Sequence, residues 1–156
     1  MLQVGQPAPD FALYNTKREL VKLSDLRGKN VLLLFIPYAF TGTCTKELCS
    51  VRDDISYYDN MNATVFGIAV DTPYCNEKFK AEQNLNMELL SDFNKEAMTA
   101  YDTKYEVFGA MQFRGVAKRS AFVIDKDGIL RYAEVLENAS EIPDFGKIKA
   151  CLESLN

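Results

Sequence analysis

The most informative part of the chain is residues 31–49, which read VLLLFIPYAFTGTCTKELC. The first six residues are all apolar, a pattern typical of a central strand that helices cover on both faces. Pro37 ends this strand, and a short loop leads to Thr41, which we expect to cap a helix running to about residue 60. In α/β sheets, the carboxyl end of a strand facing a helix N-terminus is a frequent ligand site.

Strands and helices alternate along the rest of the chain. We expect a hairpin over 10–23 with its turn at 15–17, a strand at 64–70, a helix from Thr72-Pro73 to about 84, a short strand at 87–90, a helical stretch at 95–101, a hairpin of 120–124 with 129–135, and a last helix with Phe145, Ile148, Leu152 and Leu155 on one stripe. This order predicts one α/β domain over residues 1–156, with a mixed central sheet and helices on both faces. A thioredoxin-like architecture fits this order of elements, as one option among several.

The composition excludes several classes of function. The 156 residues are 47% hydrophobic, enough for one core and against disorder. Lys and Arg number 18 against 22 Asp and Glu, a net charge of −4 that favours neither nucleic acid nor an anionic membrane as a partner. The absence of histidine removes His-assisted hydrolases and His-ligated metal sites. The longest run without charged or strongly polar residues, 31–40, is far short of a membrane span.

Four cysteines carry the remaining chemical options: Cys44, Cys49, Cys75 and Cys151. They form no CxxC pair and no zinc spacing, so we expect no metal and no cofactor. The first ten residues lack the charged and apolar regions of a signal peptide. The expectation is therefore a cytoplasmic protein with reduced thiols.

The position of Cys44 suggests a reactive thiol. If Thr41 is the N-cap, Cys44 is the third helical residue, in the turn whose N–H groups have no helical acceptor. Those donors and the positive end of the helix dipole favour a thiolate over a thiol. By position alone, a small core hydrophobe remains the alternative.

The pattern Pro37-x-x-x-Thr41-x-x-Cys44 resembles the active-site motif of the peroxiredoxins, which are thiol peroxidases with a thioredoxin-like fold. The resemblance spans nearly the whole chain, including the opening segment 4–11, the turn 24–29, Glu47, Arg52-Asp53 and Arg119. Arg119 falls where the family carries its active-site arginine.

The resemblance implies a role for each of these residues. Cys44 is the peroxidatic nucleophile, which becomes a sulfenic acid. Arg119 supplies positive charge and hydrogen-bond donors, and the Thr41 hydroxyl bonds the sulfur or the incoming oxygen. Pro37 shapes the loop and shields the sulfur, and Glu47 pairs with an arginine of the site.

Cys49 lies five residues after Cys44, an offset that resembles the bacterioferritin-comigratory, or Q-type, peroxiredoxins, where this second cysteine resolves the sulfenic acid. The implied substrates are hydrogen peroxide and alkyl hydroperoxides, and the implied partner is a thioredoxin- or glutaredoxin-like reductant. On an ideal helix the two Cα atoms lie roughly 8.6 Å apart, too far for a disulfide, so the first turns have to unwind. A homodimer fits family habit, with the following aromatic candidates for its interface: Tyr38, Phe40, Tyr74 and Phe108.

Three alternatives remain open at this point. Cys49 could be structural, with an external thiol completing a one-cysteine cycle. A peroxide sensor could keep the same reactive Cys44 without fast turnover. A thioredoxin-like oxidoreductase acting on protein disulfides is disfavoured, because it needs closely spaced cysteines and a proline ahead of a later strand, and none precedes 120–122.

Overall fold

A computed structural model describes residues 2–156, and its strands form a single seven-stranded sheet within that range. The strands are β1 (Ala12–Asn15), β2 (Leu20–Lys22), β3 (Asn30–Phe35), β4 (Ala63–Ala69), β5 (Glu88–Ser91), β6 (Ser120–Ile124) and β7 (Leu130–Val135). Their order in the sheet is β2-β1-β5-β4-β3-β6-β7. Strand β3 pairs parallel with β4 and antiparallel with β6, so the predicted mixed sheet is confirmed.

The helices of the described chain are α1 (Gly42–Asp53), α2 (Ile55–Asn60), α3 (Pro73–Glu82), α4 (Glu96–Ala100) and α5 (Phe145–Ser154). The prediction of one continuous helix from Thr41 to about residue 60 is wrong at Asp54, where the backbone leaves helical geometry (φ −119°, ψ 18°) and separates α1 from α2. Asp, Ile and Ser are weak helix formers, and three of them in a row at 54–56 make this a favourable place for a break.

Strand β3 separates two hydrophobic cores, because its side chains alternate between the two faces of the sheet. Leu32 and Leu34 face the core formed with α1, α2, α3 and α5. Leu33 and Phe35 face the core that includes Met98 of α4. Helices therefore cover both faces of the sheet, as the continuous apolar run predicts.

The hairpin of β6 and β7 is also confirmed. The two strands pair antiparallel, and the turn between them places Gly128 at a positive φ of 84°, a conformation that glycine adopts without steric cost. This hairpin sets Ser120 opposite Phe35 at the end of β3, so Arg119 lies at the same edge of the sheet as the start of α1.

No helix within residues 2–156 is long and apolar enough to cross a membrane.

Candidate active site

The sulfur of Cys44 lies at the buried start of α1. Thr41 has the extended backbone of an N-cap (φ −94°, ψ 153°), and Cys44 is the third residue of the helix that follows. The Cys44 side chain is completely buried, within the core that also contains Leu48. The local geometry expected from the sequence is thus present around this thiol.

Arg119 reaches this sulfur from the start of β6. Its Nη2 atom donates to the Cys44 sulfur at 3.2 Å, although the two residues are 75 positions apart in the sequence. The Arg119 side chain is almost fully buried. A guanidinium held out of water beside the sulfur acts on it far more strongly than an exposed one.

Glu47 binds the other end of the same guanidinium. Nη1 of Arg119 donates to Oε1 of Glu47 at 3.2 Å, and both side chains are buried. Oε2 of Glu47 is also buried, with no hydrogen-bond partner among residues 2–156. Burial raises the pKa of the Glu47 carboxyl from 4.5 to about 7, although the Arg119 guanidinium opposes the rise. Glu47 therefore titrates close to neutral pH.

The backbone carbonyl of Ala139 also binds the Arg119 guanidinium. It accepts hydrogen bonds from Nη2 at 3.1 Å and from Nε at 3.4 Å. Ala139 lies in the loop between β7 and α5. The sequence contains no signal for this contact, because every residue carries a backbone carbonyl and the side chain of alanine takes no part.

A cavity of about 270 Å³ opens beside these groups. Its lining includes Pro37, Thr41, Tyr38, Phe108 and Arg119. The Thr41 hydroxyl donates to the Tyr38 carbonyl at 3.2 Å, so here its hydrogen is directed at the loop and not at the sulfur. Pro37 is buried between the end of β3 and this cavity. Pro37, Thr41 and Arg119 therefore line one small opening, and the buried Cys44 and Glu47 are joined to it through the Arg119 guanidinium.

Cys49 lies apart from this cluster, five residues or about one and a half turns further along α1. It is half-buried, and its thiol donates to the Gln83 side-chain oxygen at 3.7 Å. Cys44 and Cys49 both lie in the intact helix α1, and neither forms a disulfide. The helix thus keeps the two sulfurs separate in this state.

The two remaining cysteines lie in environments that favour the neutral thiol. Burial raises the pKa of Cys75, and the neighbouring carboxylate of Asp71 raises it further. Burial also raises the pKa of Cys151.

Among residues 2–156, no group of three or more Cys, Asp or Glu side chains is placed to hold a metal ion.

Comparisons with known proteins agree on the class of protein. The AhpC/TSA family pattern matches residues 4–133. Alkyl hydroperoxide reductase E of Mycobacterium tuberculosis is 39% identical over 145 residues, 92% of each chain. Peroxiredoxin Bcp of Bacillus subtilis is 36% identical over 130 residues, 83% of this chain and 82% of its own. The crystal structure of peroxidoxin BcpB from Mycobacterium tuberculosis superposes with a TM-score of 0.87 at 27% identity, covering 100% of this chain and 99% of the other.

The fold is therefore the thioredoxin-like fold of the peroxiredoxins, and the enzyme class is that of the thiol peroxidases. The chain belongs to the AhpC/TSA family, and its curated relatives include peroxiredoxins named Bcp.

Proposed function

We propose that this peroxiredoxin reduces hydrogen peroxide and alkyl hydroperoxides through Cys44, with Cys49 as the resolving thiol. The Cys44 thiolate attacks one peroxide oxygen, a sulfur–oxygen bond forms, and the oxygen–oxygen bond breaks. The leaving oxygen takes the bonding electron pair and gains a proton, giving an alcohol or water. Sulfur is oxidised to a sulfenic acid, and the peroxide is reduced.

The observation that carries this proposal is the contact between Arg119 and the Cys44 sulfur at 3.2 Å. Four of the five guanidinium N–H groups are engaged by Cys44, Glu47 and Ala139. The remaining N–H is on Nη1, and Arg119 lines the cavity where a peroxide would enter. A donor fixed at that point stabilises the charge that develops on the departing oxygen.

Ionisation of the thiol cannot by itself account for peroxidase activity. A thiol of ordinary pKa is about 3% ionised at pH 7, so full ionisation gains at most roughly thirtyfold. Nucleophilicity falls with thiol pKa, and a decrease of about three in pKa costs roughly fifteen- to thirtyfold. The two effects nearly cancel. The rate must therefore depend on donors aimed at the reacting oxygens. Arg119 is already placed for this role, and the Thr41 hydroxyl would first have to turn away from the Tyr38 carbonyl.

Resolution by Cys49 requires α1 to open. In an intact helix the Cα atoms of Cys44 and Cys49 lie roughly 8.6 Å apart, and a disulfide needs less than about 7 Å. The first turn contains Gly42, Thr43 and Thr45, which are poor helix formers. Once this turn unwinds, the Cys49 thiolate attacks the Cys44 sulfur, a disulfide forms, and the sulfenic oxygen leaves as water after protonation.

The cycle closes when a thioredoxin- or glutaredoxin-like protein returns two electrons to the disulfide. Such a reductant fits a reducing compartment such as the cytoplasm.

We also propose a homodimer. Its interface would use the exposed aromatic rings of Phe40 and Tyr74, near the active-site edge of the sheet. The less exposed rings of Tyr38 and Phe108 would also contribute.

Intact mass and disulfide mapping after one equivalent of hydrogen peroxide test this proposal on the wild type and on Cys49→Ser. We expect the wild type to lose two hydrogens at a Cys44–Cys49 pair, and the variant to stop at a Cys44 sulfenic acid. A sulfenic acid at Cys44 in both proteins would support the one-cysteine alternative. An unoxidised Cys44 would contradict the assignment altogether.

Repeated turnover of peroxide distinguishes an enzyme from a peroxide sensor. We expect many cycles of peroxide consumption with a thioredoxin-type reductant, at a rate that remains constant over successive additions. A single oxidation without turnover would favour the sensor.

A further inference from the structure

The loop between β3 and α1 is anchored by a carboxylate outside the cluster described above. Oδ2 of Asp71 accepts a hydrogen bond from the backbone N–H of Ala39 at 2.6 Å. Ala39 is buried, so its N–H needs a partner inside the protein. A carboxylate provides a charge-assisted bond, which is stronger than a bond to a neutral acceptor.

Asp71 is itself held in place from two further directions. Its Oδ1 accepts from the Cys75 thiol at 3.7 Å, in the first turn of α3. Its backbone carbonyl accepts from the Ser91 hydroxyl at 2.6 Å, at the end of β5. Asp71 lies two residues after the end of the central strand β4. The carboxylate is therefore a rigid point of attachment for the loop.

The loop needs such a point because its last residue has an unfavourable backbone conformation. Phe40 has a φ of 67°, in the left-handed region that bulky side chains rarely adopt. Its ring packs on Phe79 of α3 with 5.1 Å between the ring centres. Thr41 follows immediately as the N-cap of α1, so the conformation of residues 39–40 sets the direction in which the helix starts.

We propose that Asp71 is a positioning residue for peroxide reduction, whose carboxylate fixes the 37–40 loop so that Thr41 and Cys44 face Arg119. This role goes beyond the proposed cycle, although it rests on Cys44 being the sulfur that reacts. Within residues 2–156, Asp71 makes no hydrogen bond to the Cys44 sulfur and does not line the cavity, so it acts through the backbone of Ala39. A misplacement of about 1 Å at a reacting centre can cost about 100-fold in rate.

The test compares Asp71→Ala with Asp71→Asn and uses two reactions of Cys44. We expect Asp71→Ala to slow single-turnover oxidation of Cys44 by hydrogen peroxide by about 10- to 100-fold. Alkylation of Cys44 by iodoacetamide, followed by peptide mapping, should change by less than about threefold, because it does not depend on donors aimed at a peroxide oxygen. Asp71→Asn keeps an oxygen that can accept from Ala39, so we expect a rate within about fivefold of the wild type.

The matched control is Asp59→Ala, which changes the same residue type at an exposed position of α2, before the opposite end of β4. We expect it to leave both reactions unchanged. Peroxide oxidation of Asp71→Ala within twofold of the wild type would overturn the proposal. An equal loss in both reactions would overturn it as well, because the thiol itself would then have changed.

A second measurement tests the hydrogen bond between Ala39 and Asp71 without any peroxide chemistry. Amide hydrogen exchange at Ala39, followed by nuclear magnetic resonance, should accelerate at least about tenfold in Asp71→Ala and little in Asp71→Asn. Equal exchange in wild type and Asp71→Ala would overturn the anchor. If the wild-type Cys44 did not react with peroxide, the proposed function would fail, and the exchange result would still decide whether Asp71 holds the loop.

Discussion

Arg119 lies 3.2 Å from the Cys44 sulfur through one terminal nitrogen and 3.2 Å from Glu47 through the other. The Arg119 and Cys44 side chains are buried, and a single guanidinium thus joins the thiol to a carboxyl. Because the charge is fixed in a water-poor site, it would need no reorganisation in the proposed reaction, when the oxygen–oxygen bond of a peroxide polarises beside it.

Replacing Arg119 should reduce the peroxide rate more than it changes the reactivity of the thiol. For Arg119→Lys, which keeps the charge but loses the planar fork, we expect a loss of about 10²–10³-fold in single-turnover oxidation. Alkylation of Cys44 by iodoacetamide should fall by much less. Equal losses in the two reactions would show that Arg119 acts only on thiolate formation.

Arg119→Met tests stability instead, because, unlike the lysine variant, it removes the charge and leaves the buried Glu47 carboxyl without its partner. Removing one member of such a pair typically destabilises by about 3–5 kcal/mol. Arg119→Met alone should therefore unfold at lower urea concentration than the double variant with Glu47→Met. The kinetics should be compared only at urea-free conditions in which each protein remains folded by circular dichroism.

The Thr41 hydroxyl should matter for rate more than for stability. It donates to the Tyr38 carbonyl at the cavity, and Thr41→Val removes that bond at nearly constant volume. A typical hydrogen bond contributes about 1 kcal/mol to folding, so the variant should remain folded. We expect its peroxide rate to fall at least about tenfold, with Thr41→Ser close to the wild type. Similar rates for Val and Ser would exclude a role for the hydroxyl.

Glu47 should make the stability of the protein depend on pH. Its pKa is raised by burial from 4.5 to about 7, so the folded protein binds its proton more tightly than the unfolded chain does. The associated stabilisation is complete below pH 4.5 and is lost as the pH rises through about 7. A pKa difference of one corresponds to about 1.4 kcal/mol, which gives a loss on the order of 3 kcal/mol.

Urea unfolding at pH 5 and pH 8 measures this effect. Relative to Glu47→Gln, the wild type should lose free energy of unfolding between the two values. Glu106→Gln, at an exposed position, serves as the control and should follow the wild type. If the Glu47→Gln and wild-type profiles ran parallel, the carboxyl would not titrate in this range.

Formation of the Cys44–Cys49 disulfide should open the beginning of α1. The disulfide cannot span an intact helix, so oxidation should lower the helical signal and expose residues 42–49 to limited proteolysis. The Cys49→Ser variant, oxidised in the same way, should keep the protection of the reduced protein. Unchanged cleavage of a disulfide form proven by mass spectrometry would contradict this prediction.

The sequence by itself determined the elements whose signals are local. The apolar run of residues 31–36 predicts a buried strand, Thr72 followed by Pro73 predicts the start of α3, and Asp125–Gly128 predicts the turn between β6 and β7; the structure confirms all three. Each depends on side-chain pattern or backbone preference within a few residues. The helix predicted to continue to about residue 60 fails at Asp54, because periodicity alone does not reveal where the chain bends.

Only the tertiary structure decided which groups meet. Arg119 reaches Cys44 because β6 pairs with β3, and that register brings together residues 75 positions apart. The burial of Glu47 depends on the same packing, since a glutamate on an isolated helix would be exposed. Local pattern pointed to Cys44, and the family resemblance pointed to Arg119 and Glu47. The supporting contacts of Ala139 and Ala39 are made by backbone groups common to every residue and leave no local pattern, so only the structure shows them.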